Sequence, residues 1–460
     1  MPEPIISVSG LRGIIGESLN PRIAGNYALA FSATVPTGPF VITRDGRPSG
    51  AVLTDAIHAA LNSTGRPTID AEVAATPTTG ILIRQLGAAG GIQISASHNP
   101  IEYNGMKLFS AEGRVVPNNL GQRVLERYRN DKTIWVSHDK LGTRVVCKNT
   151  ISGHLSSVVR TVDCDAIRRC KFKVLLDANH GAGALLGERL LDDFDCEVTV
   201  LGGSPTGRFE HLPEPTAENL QPISEKVRQL GVDIAFCQDP DADRLALIDA
   251  DGRYIGEEYT LAICLEHLLR TASEGKHPFL RTKGPIVINC ASSRMSEDIA
   301  KKYEVPLFRS AVGEANVVDL MLEKSAMFGG EGNGGPIDPK VGFVRDSFVG
   351  IAQVLDAMAA RNKPLSELAD ELPHYALVKR KATVAFDEVP ALLDRVAAAF
   401  ERLPCDRLDG LRIDHGDAWV LLRGSNTEPI IRVFAEAPTE DRANALCDEV
   451  ERGIAAVCGL

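Results

Sequence analysis

The sequence predicts an α/β protein: three similar α/β domains with mixed sheets, then a smaller α+β domain at the C-terminal end. Three observations carry this prediction. Short β-rich runs alternate with longer helix-like stretches over most of the chain. The runs fall into three blocks, and in each block one run passes straight into a polar loop. From about residue 375 the pattern changes to two amphipathic stretches around two β-rich runs.

The first block, residues 1–150, holds Phe40-Val41-Ile42-Thr43, Glu72-Val73-Ala74 and Gly91-Ile92-Gln93-Ile94-Ser95, the last entering a loop from Ser95 to Pro100. The second, 151–254, holds Lys173-Val174-Leu175-Leu176, Val198-Thr199-Val200-Leu201 and Asp233-Ile234-Ala235-Phe236, with a loop from Gln238 to Asp243. The third, 255–370, holds Pro285-Ile286-Val287-Ile288-Asn289, Val305-Pro306-Leu307-Phe308 and Ala326-Met327-Phe328, with a loop from Gly329 to Gly335. The last, 371–460, is predicted to have helices over 387–402 and 439–456 around strands at 418–421 and 430–434. Open α/β sheets bind ligands in loops at strand ends, so these loops are the places to look for chemistry.

Composition narrows the function. With 44% hydrophobic and 24% charged residues among 460, the chain can bury several cores. Lys plus Arg is 50 against 61 Asp plus Glu, a net charge of -11 that argues against a nucleic-acid binder. The ten cysteines run from Cys147 to Cys458 without a Cys-x-x-Cys pair, which predicts reduced thiols rather than a disulfide framework or a zinc site. The start, Met1-Pro2-Glu3-Pro4-Ile5-Ile6, lacks the basic and apolar regions of a signal peptide, and no apolar run approaches the ~20 residues that span a bilayer. The expectation is a cytoplasmic protein with a small-molecule partner and neither nucleic acid nor membrane; its oligomeric state is left open.

Asp239-Pro240-Asp241-Ala242-Asp243-Arg244 is the sharpest motif. Three carboxylates at alternate positions after an apolar strand can converge on one hard divalent cation. An EF-hand loop is excluded, because its sixth and twelfth positions, glycine and glutamate, are Arg244 and Ala250 here. An acidic surface turn and an aspartyl-nucleophile phosphatase are the competing readings, and the second leaves Ser97 unexplained. Ser95-Ala96-Ser97-His98-Asn99-Pro100, followed by Lys107, offers a nucleophile or phosphate carrier with a cation nearby. His98 makes a Ser-His dyad tempting, but sequence neighbours ordinarily point apart, and a turn or cap serine is the plainer reading.

Arg423-Gly424-Ser425-Asn426-Thr427-Glu428-Pro429 combines an arginine, hydroxyls, an amide and a glycine turn, which suits an anion-binding nest as well as an ordinary polar turn. Gly329-Gly330-Glu331-Gly332-Asn333-Gly334-Gly335 is no P-loop; its Glu331 and Asn333 can hydrogen-bond sugar hydroxyls, against the plainer reading of a flexible loop. Gly181-Ala182-Gly183 has Leu186 where a dinucleotide fingerprint needs its third glycine, and reads as a strand-to-helix turn.

Together these four loops, in this order, resemble the α-D-phosphohexomutase family over nearly the whole chain, and Ser9-Gly10-Leu11-Arg12-Gly13 resembles that family's N-terminal motif. The resemblance implies four domains around a central cleft and a phosphohexomutase interconverting hexose 1- and 6-phosphates through a bisphosphate. Ser97 would carry the phosphoryl group, and its phosphate with Asp239, Asp241 and Asp243 would hold Mg²⁺. Arg12, Lys107, His98 and Arg244 would serve proton transfer and charge stabilisation. Glu331, Asn333 and Glu314 would face the sugar; Arg423, Ser425, Asn426, Thr427 and Arg432 would clamp the distal phosphate. Asn333 and Gly335 stand where glucose- and mannose-selective members often carry Ser and His, and Glu314 where some place His. These departures resemble a phosphoglucosamine-mutase-like branch with the archaeal-type loop, in which an acidic residue faces an amino group. A hexose-phosphate binding protein without catalysis is the reading of another class.

Overall fold

The computed structural model describes residues 2–7, 9–130, 132–275, 282–425 and 429–458, with side chains through residue 452. Four sheets follow one another along the chain. The first has seven strands in the spatial order Ile5–Ser7, Gly10–Ile14, Tyr103–Ser110, Gly90–Ile94, Phe40–Arg44, Thr68–Val73 and Arg144–Val146. It is mixed: Phe40–Arg44 is parallel to both of its neighbours, whereas Tyr103–Ser110 is antiparallel to both of its own. The second orders Leu245–Asp249, Ile234–Gln238, Lys173–Asp177 and Glu197–Leu201; the third orders Leu307–Ser310, Ile286–Asn289, Phe328–Glu331 and Gly335–Ile337. Each carries one antiparallel edge strand on a parallel set. The fourth sheet, Ala376–Thr383, Ile430–Ala437, Trp419–Gly424, Leu411–Asp414 and Cys405–Asp406, is wholly antiparallel. Helices Val389–Ala399 and Glu440–Cys458 complete an α+β domain.

Parallel strands buried on both faces read as continuous apolar runs, and Ile234–Gln238 and Ile286–Asn289 are buried at every position, as is the antiparallel edge strand Leu245–Asp249. The second and third sheets share one apolar core with helices Glu257–Glu274 and Ser347–Arg361, while the first and fourth sheets have their own. Between the third and fourth sheets the apolar contact shrinks to Cys290, Trp419 and Leu421 with a few partly buried neighbours.

Several elements differ from the sequence prediction. The strand expected at Glu72-Val73-Ala74 starts earlier, at Thr68, and ends at Val73, with Glu72 in the left-handed region (φ 51°) as the chain turns toward helix Thr76–Gln85. The strand expected at 305–308 is Leu307–Ser310, because Pro306 lacks an N–H for the ladder. The glycine loop is shorter than expected: Gly329, Gly330 and Glu331 lie in a strand and pair with Gly335–Ile337. The expected turn at Gly181-Ala182-Gly183 leads into helix Ala184–Asp193. The nine cysteines from Cys147 to Cys447 are free thiols. Among the described residues no helix is long and apolar enough to cross a membrane.

Pairing of Gly10–Ile14 with Tyr103–Ser110 sets Gly10 opposite Lys107 and Arg12 opposite Gly105, so Arg12 and Lys107 are diagonal neighbours on one sheet face. Gly105 makes this close fit possible, since a Cβ there would lie 2.5 Å from the Leu11 carbonyl oxygen and 2.8 Å from that of Ser95. Gly105→Ala is therefore expected to cost about 1–3 kcal/mol through overpacking, read as a lower midpoint of denaturant unfolding.

Candidate active site

Ser97 lies on the loop between Gly90–Ile94 and Tyr103–Ser110, and two buried charges shape that loop. Asp45 and Arg47, both fully buried, pair with each other just past strand Phe40–Arg44. Asp45 accepts a hydrogen bond from Ser95 Oγ at 2.7 Å, and Ser95 Oγ accepts one from the Ser97 N–H at 2.9 Å. Arg47 Nη2 donates to the carbonyls of Ser97, at 2.9 Å, and Asn99. These bonds hold Ser97 at φ 51°, a left-handed conformation that costs a non-glycine residue roughly 1–2 kcal/mol.

Held this way, Ser97 Oγ donates to Asp239 Oδ2 at 2.8 Å and lies 3.3 Å from His98 Nδ1, so these two sequence neighbours do converge. The cation of Arg244, then burial, then Arg12 press the His98 imidazole well below its usual range and keep it neutral. Arg12 Nη1 donates to Asn99 Oδ1 at 3.1 Å.

The three aspartates follow strand Ile234–Gln238 and are fully buried, with carboxylate oxygens within 4.8 Å of one another. Asp239 Oδ1 closes the turn by accepting the N–H groups of Asp243 and Arg244, both at 3.1 Å. Thr76 donates its N–H to the Asp241 carbonyl at 2.9 Å and its hydroxyl to the Asp241 carboxylate. Lys107 Nζ bridges Asp241 Oδ2 at 2.7 Å and Asp243 Oδ2 at 2.5 Å; Arg345 Nη2 donates to Asp243 Oδ2 at 2.7 Å.

Burial and the two neighbouring carboxylates push Asp239 well above the usual carboxylate range. Burial also acts to raise Asp241, but Lys107 and Thr76 override it and hold Asp241 low. Burial opposes the charge on Lys107, yet Asp241 and Asp243 keep it firmly protonated. Asp241 Oδ1 and Asp243 Oδ1 are buried with no hydrogen-bond partner among the described residues. Two orphaned carboxylate oxygens beside Asp239 and a hydroxyl form a hard oxygen donor set that fits a divalent cation.

Arg345 joins this cluster to Glu314 and the glycine-rich segment around Glu331. Its Nη1 donates to Glu331 Oε2 at 2.9 Å and its Nε to Glu314 Oε2 at 3.0 Å. Glu331 Oε1 also accepts from Asn289 Nδ2 at 2.7 Å and from the Gly313 N–H at 2.9 Å. Glu314 Oε1 and Asn333 Oδ1 have no hydrogen-bond partner among the described residues. Burial pushes the Glu314 carboxyl up to about 7 against the pull of Arg345.

In the fourth domain Arg423 pairs with Asp409 at 2.8 Å, and the Ser425 N–H donates to the Ile430 carbonyl at 2.9 Å. Arg432 sits in register between Lys381 and Arg423, a row of three like charges across adjacent strands. Such a row is unfavourable unless an anion faces it. Asn426 and Thr427 lie outside the described residues.

All four domains meet at a cavity of about 720 Å³ whose wall includes Arg12, Lys107, Arg244, Glu331, Asn333 and Arg423. A second hollow of about 570 Å³ shares Arg12 and Lys107 and adds His98 and Arg432. Ser97 is 1% exposed, while its neighbours Ser95 and His98 line the second hollow. Arg244 has Nη1 3.6 Å from Glu214 Oε1, while its buried Nε has no hydrogen-bond partner among the described residues.

The sequence reading missed Asp45, Arg47, Thr76, Arg345 and Lys379, the last also on the cavity wall. Two of these carried a signal: Asp45-Gly46-Arg47-Pro48 is a charged turn directly after an apolar strand, and Arg345 precedes Asp346, whose side chain caps helix Ser347–Arg361.

Comparison with known proteins gives this geometry its family. Residues 5–135, 152–252 and 257–375 match the alpha/beta/alpha domains I, II and III of phosphoglucomutase/phosphomannomutase, and 375–453 match its C-terminal domain. The chain is 35% identical over 442 residues to the phosphoglucomutase/phosphomannomutase of Thermococcus kodakarensis, covering 94% of each chain. It is 30% identical over 448 residues to a probable phosphoglucosamine mutase of Methanopyrus kandleri, covering 96% of this chain and 95% of that one. A crystal structure of a putative phosphomannomutase from Thermus thermophilus shares the fold, with a TM-score of 0.83 at 21% identity over 98% of this chain and 99% of that chain. Matched by all four family domains in order, the chain belongs to the phosphoglucomutase/phosphomannomutase family and is a phosphohexomutase.

Proposed function

We propose that this phosphohexomutase interconverts glucosamine 1-phosphate and glucosamine 6-phosphate through a phosphorylated Ser97 and a bound sugar bisphosphate. The observation that carries the reading is Ser97 Oγ, 2.8 Å from Asp239, at the foot of a cavity whose walls carry Arg12, Lys107, Arg244 and Arg423. That is a phosphoryl carrier beside a hard-cation site, with cations for two phosphates. The amino sugar is supported by the acidic wall formed by Glu314, Glu331 and Glu258. Likeness to the Thermococcus phosphoglucomutase/phosphomannomutase supports a second reading, with glucose or mannose phosphates as substrates.

In the first half-reaction the bond from Ser97 Oγ to phosphorus breaks and a bond forms from phosphorus to the free sugar hydroxyl. The proton of that hydroxyl ends on Ser97 Oγ. After the bisphosphate turns over, the bond from its other sugar oxygen to phosphorus breaks and a bond from Ser97 Oγ to phosphorus forms. The serine proton ends on that sugar oxygen, with the neutral His98 beside Oγ placed to relay it. Asp239, Asp241 and Asp243, with an oxygen of the phosphoserine, would hold Mg²⁺, which when bound offsets charge on the transferring group. Lys107, kept cationic by two aspartates, and Arg244 stabilise the same charge without giving up a proton. Arg12 is oriented toward the reacting phosphate by Asn99. Asn333 and Glu331 bind sugar hydroxyls, Glu314 faces the sugar through its unpaired oxygen, and Arg423, Ser425, Asn426, Thr427 and Arg432 hold the distal phosphate.

The deciding experiment is Mg²⁺-dependent isomerisation of glucosamine, glucose and mannose 1-phosphates, each primed with its bisphosphate. Glucosamine 1-phosphate is expected to turn over fastest; much faster turnover of glucose or mannose 1-phosphate would sink the amino-sugar reading. Ser97→Ala should lower kcat by several orders of magnitude, and near-full activity there would refute the phosphoserine.

Arg345→Met tests the link between metal loop and sugar loop. It leaves Asp243, Glu314 and Glu331 without their shared cation, so a stability loss of about 3–5 kcal/mol is expected in denaturant unfolding.

A further inference from the structure

We propose that Glu258 is the specificity-determining carboxylate that binds the amino group of a hexosamine phosphate, an inference that rests on the amino-sugar reading above. Glu331, Glu314, Glu258 and Asp409 bring carboxylates to the cavity, and they are not equivalent; Asp409 is paired with Arg423 and accepts the Val312 N–H. Glu331 accepts from Arg345, Asn289 and the Gly313 N–H, so both its oxygens are engaged. Glu314 shares the same guanidinium through Oε2. One cation thus compensates both, and an arriving ammonium gains less from either than from a carboxylate without such a partner.

Glu258 is different. It projects from the first turn of helix Glu257–Glu274, and the contact made to its carboxylate is the Ser293 N–H, 3.0 Å from Oε2. Among the described residues no lysine or arginine nitrogen lies within 4.0 Å of it. Its position is that of a sugar contact: a Cβ on Gly332, between Glu331 and Asn333, would lie 2.0 Å from Glu258 Oε1. Glycine at 332 therefore leaves the room that this carboxylate fills. Burial pushes Glu258 up to about 8; the Ser293 N–H and Lys379 oppose the rise, while Glu436 and Glu257 add to it. A partly buried carboxylate with this little compensation is the group in the cavity that an ammonium stabilises most.

The test compares kcat/KM for glucosamine 1-phosphate and glucose 1-phosphate in wild type and Glu258→Gln, in which the amide oxygen can still accept from Ser293. Activity on glucosamine 1-phosphate should fall about tenfold more than activity on glucose 1-phosphate. Equal losses on both sugars, with wild type preferring glucosamine, would overturn the role of Glu258 and leave the amino-sugar reading standing. A wild type without that preference would overturn both. Glu258→Asp, which keeps the charge but shortens its reach, should fall between wild type and Glu258→Gln. Equilibrium binding of glucosamine 6-phosphate against glucose 6-phosphate to the same proteins gives the ratio without turnover, and an unchanged binding ratio in both variants counts against the proposal.

Discussion

The structure turns on a buried ion cluster: Lys107 and Arg345 on either side of the carboxylates of Asp241 and Asp243. Lys107 comes from the first domain, the aspartates from the second and Arg345 from the third. Buried charges are tolerable only when they are paired, and removing one partner is far costlier than never having buried the pair. No domain holds a satisfied set by itself, so the charges enforce one relative placement of three domains. Ser97 Oγ reaches Asp239 because of that placement together with the loop conformation that Ser95, Asp45 and Arg47 hold. The apolar core shared by the second and third domains reinforces the arrangement without being able to specify it as sharply, since hydrophobic contact has no direction.

Attachment of the fourth domain follows another rule. Glu436 Oε1 accepts from Trp419 Nε1 and from the Arg294 N–H, Arg412 Nη1 donates to the Cys290 carbonyl, and the Val312 N–H donates to Asp409. The apolar contact beneath these bonds centres on Cys290, Trp419 and Leu421. A few hydrogen bonds over a small apolar patch allow domain motion in a way that a shared core does not. On the proposed reading, the reacting end of the sugar meets the rigid three-domain body and the clamp for the distal phosphate rides on the more loosely held part.

What the sequence revealed depended on how local each signal was. Asp239, Asp241 and Asp243 were legible because their spacing alone suggests convergence. Ser97 read as a polar turn on its own, since what makes it unusual, Asp45 and Arg47 beneath the loop, lies 50 residues upstream in the Ser95 and Ser97 contacts. Arg345 was marked only by the helix cap that follows it, and its role was hidden for the same reason: it meets Asp243 across 102 residues. The strand Ala376–Thr383 escaped notice because it lacks apolar alternation. Arg380 faces the C-terminal helix and pairs with Asp448 and Glu451, while Lys379 and Lys381 are exposed. Gly329 and Gly330 looked like loop residues, yet a Cβ on Gly329 would lie 2.5 Å from Met321 Sδ and 2.7 Å from the Val287 carbonyl oxygen. There glycine serves packing against the sheet, not flexibility.

On the proposed reading, the row Lys381, Arg432, Arg423 connects electrostatics to the turnover of a bisphosphate. Like charges directly opposite one another on adjacent strands repel, and Asp409 offsets part of that repulsion through Arg423. A phosphate on this face converts the repulsion into attraction to a common anion. The gain depends on charge and not on which carbon carries the phosphate, so on that reading one clamp holds the 1-phosphate in one half-reaction and the 6-phosphate in the other. The reacting end needs the opposite property, a fixed geometry around a single oxygen, and it is built from interlocked buried charges. On the proposed reading, the division between an interlocked ionic cluster and an adaptable cationic face lets one cleft accept the same intermediate in two orientations.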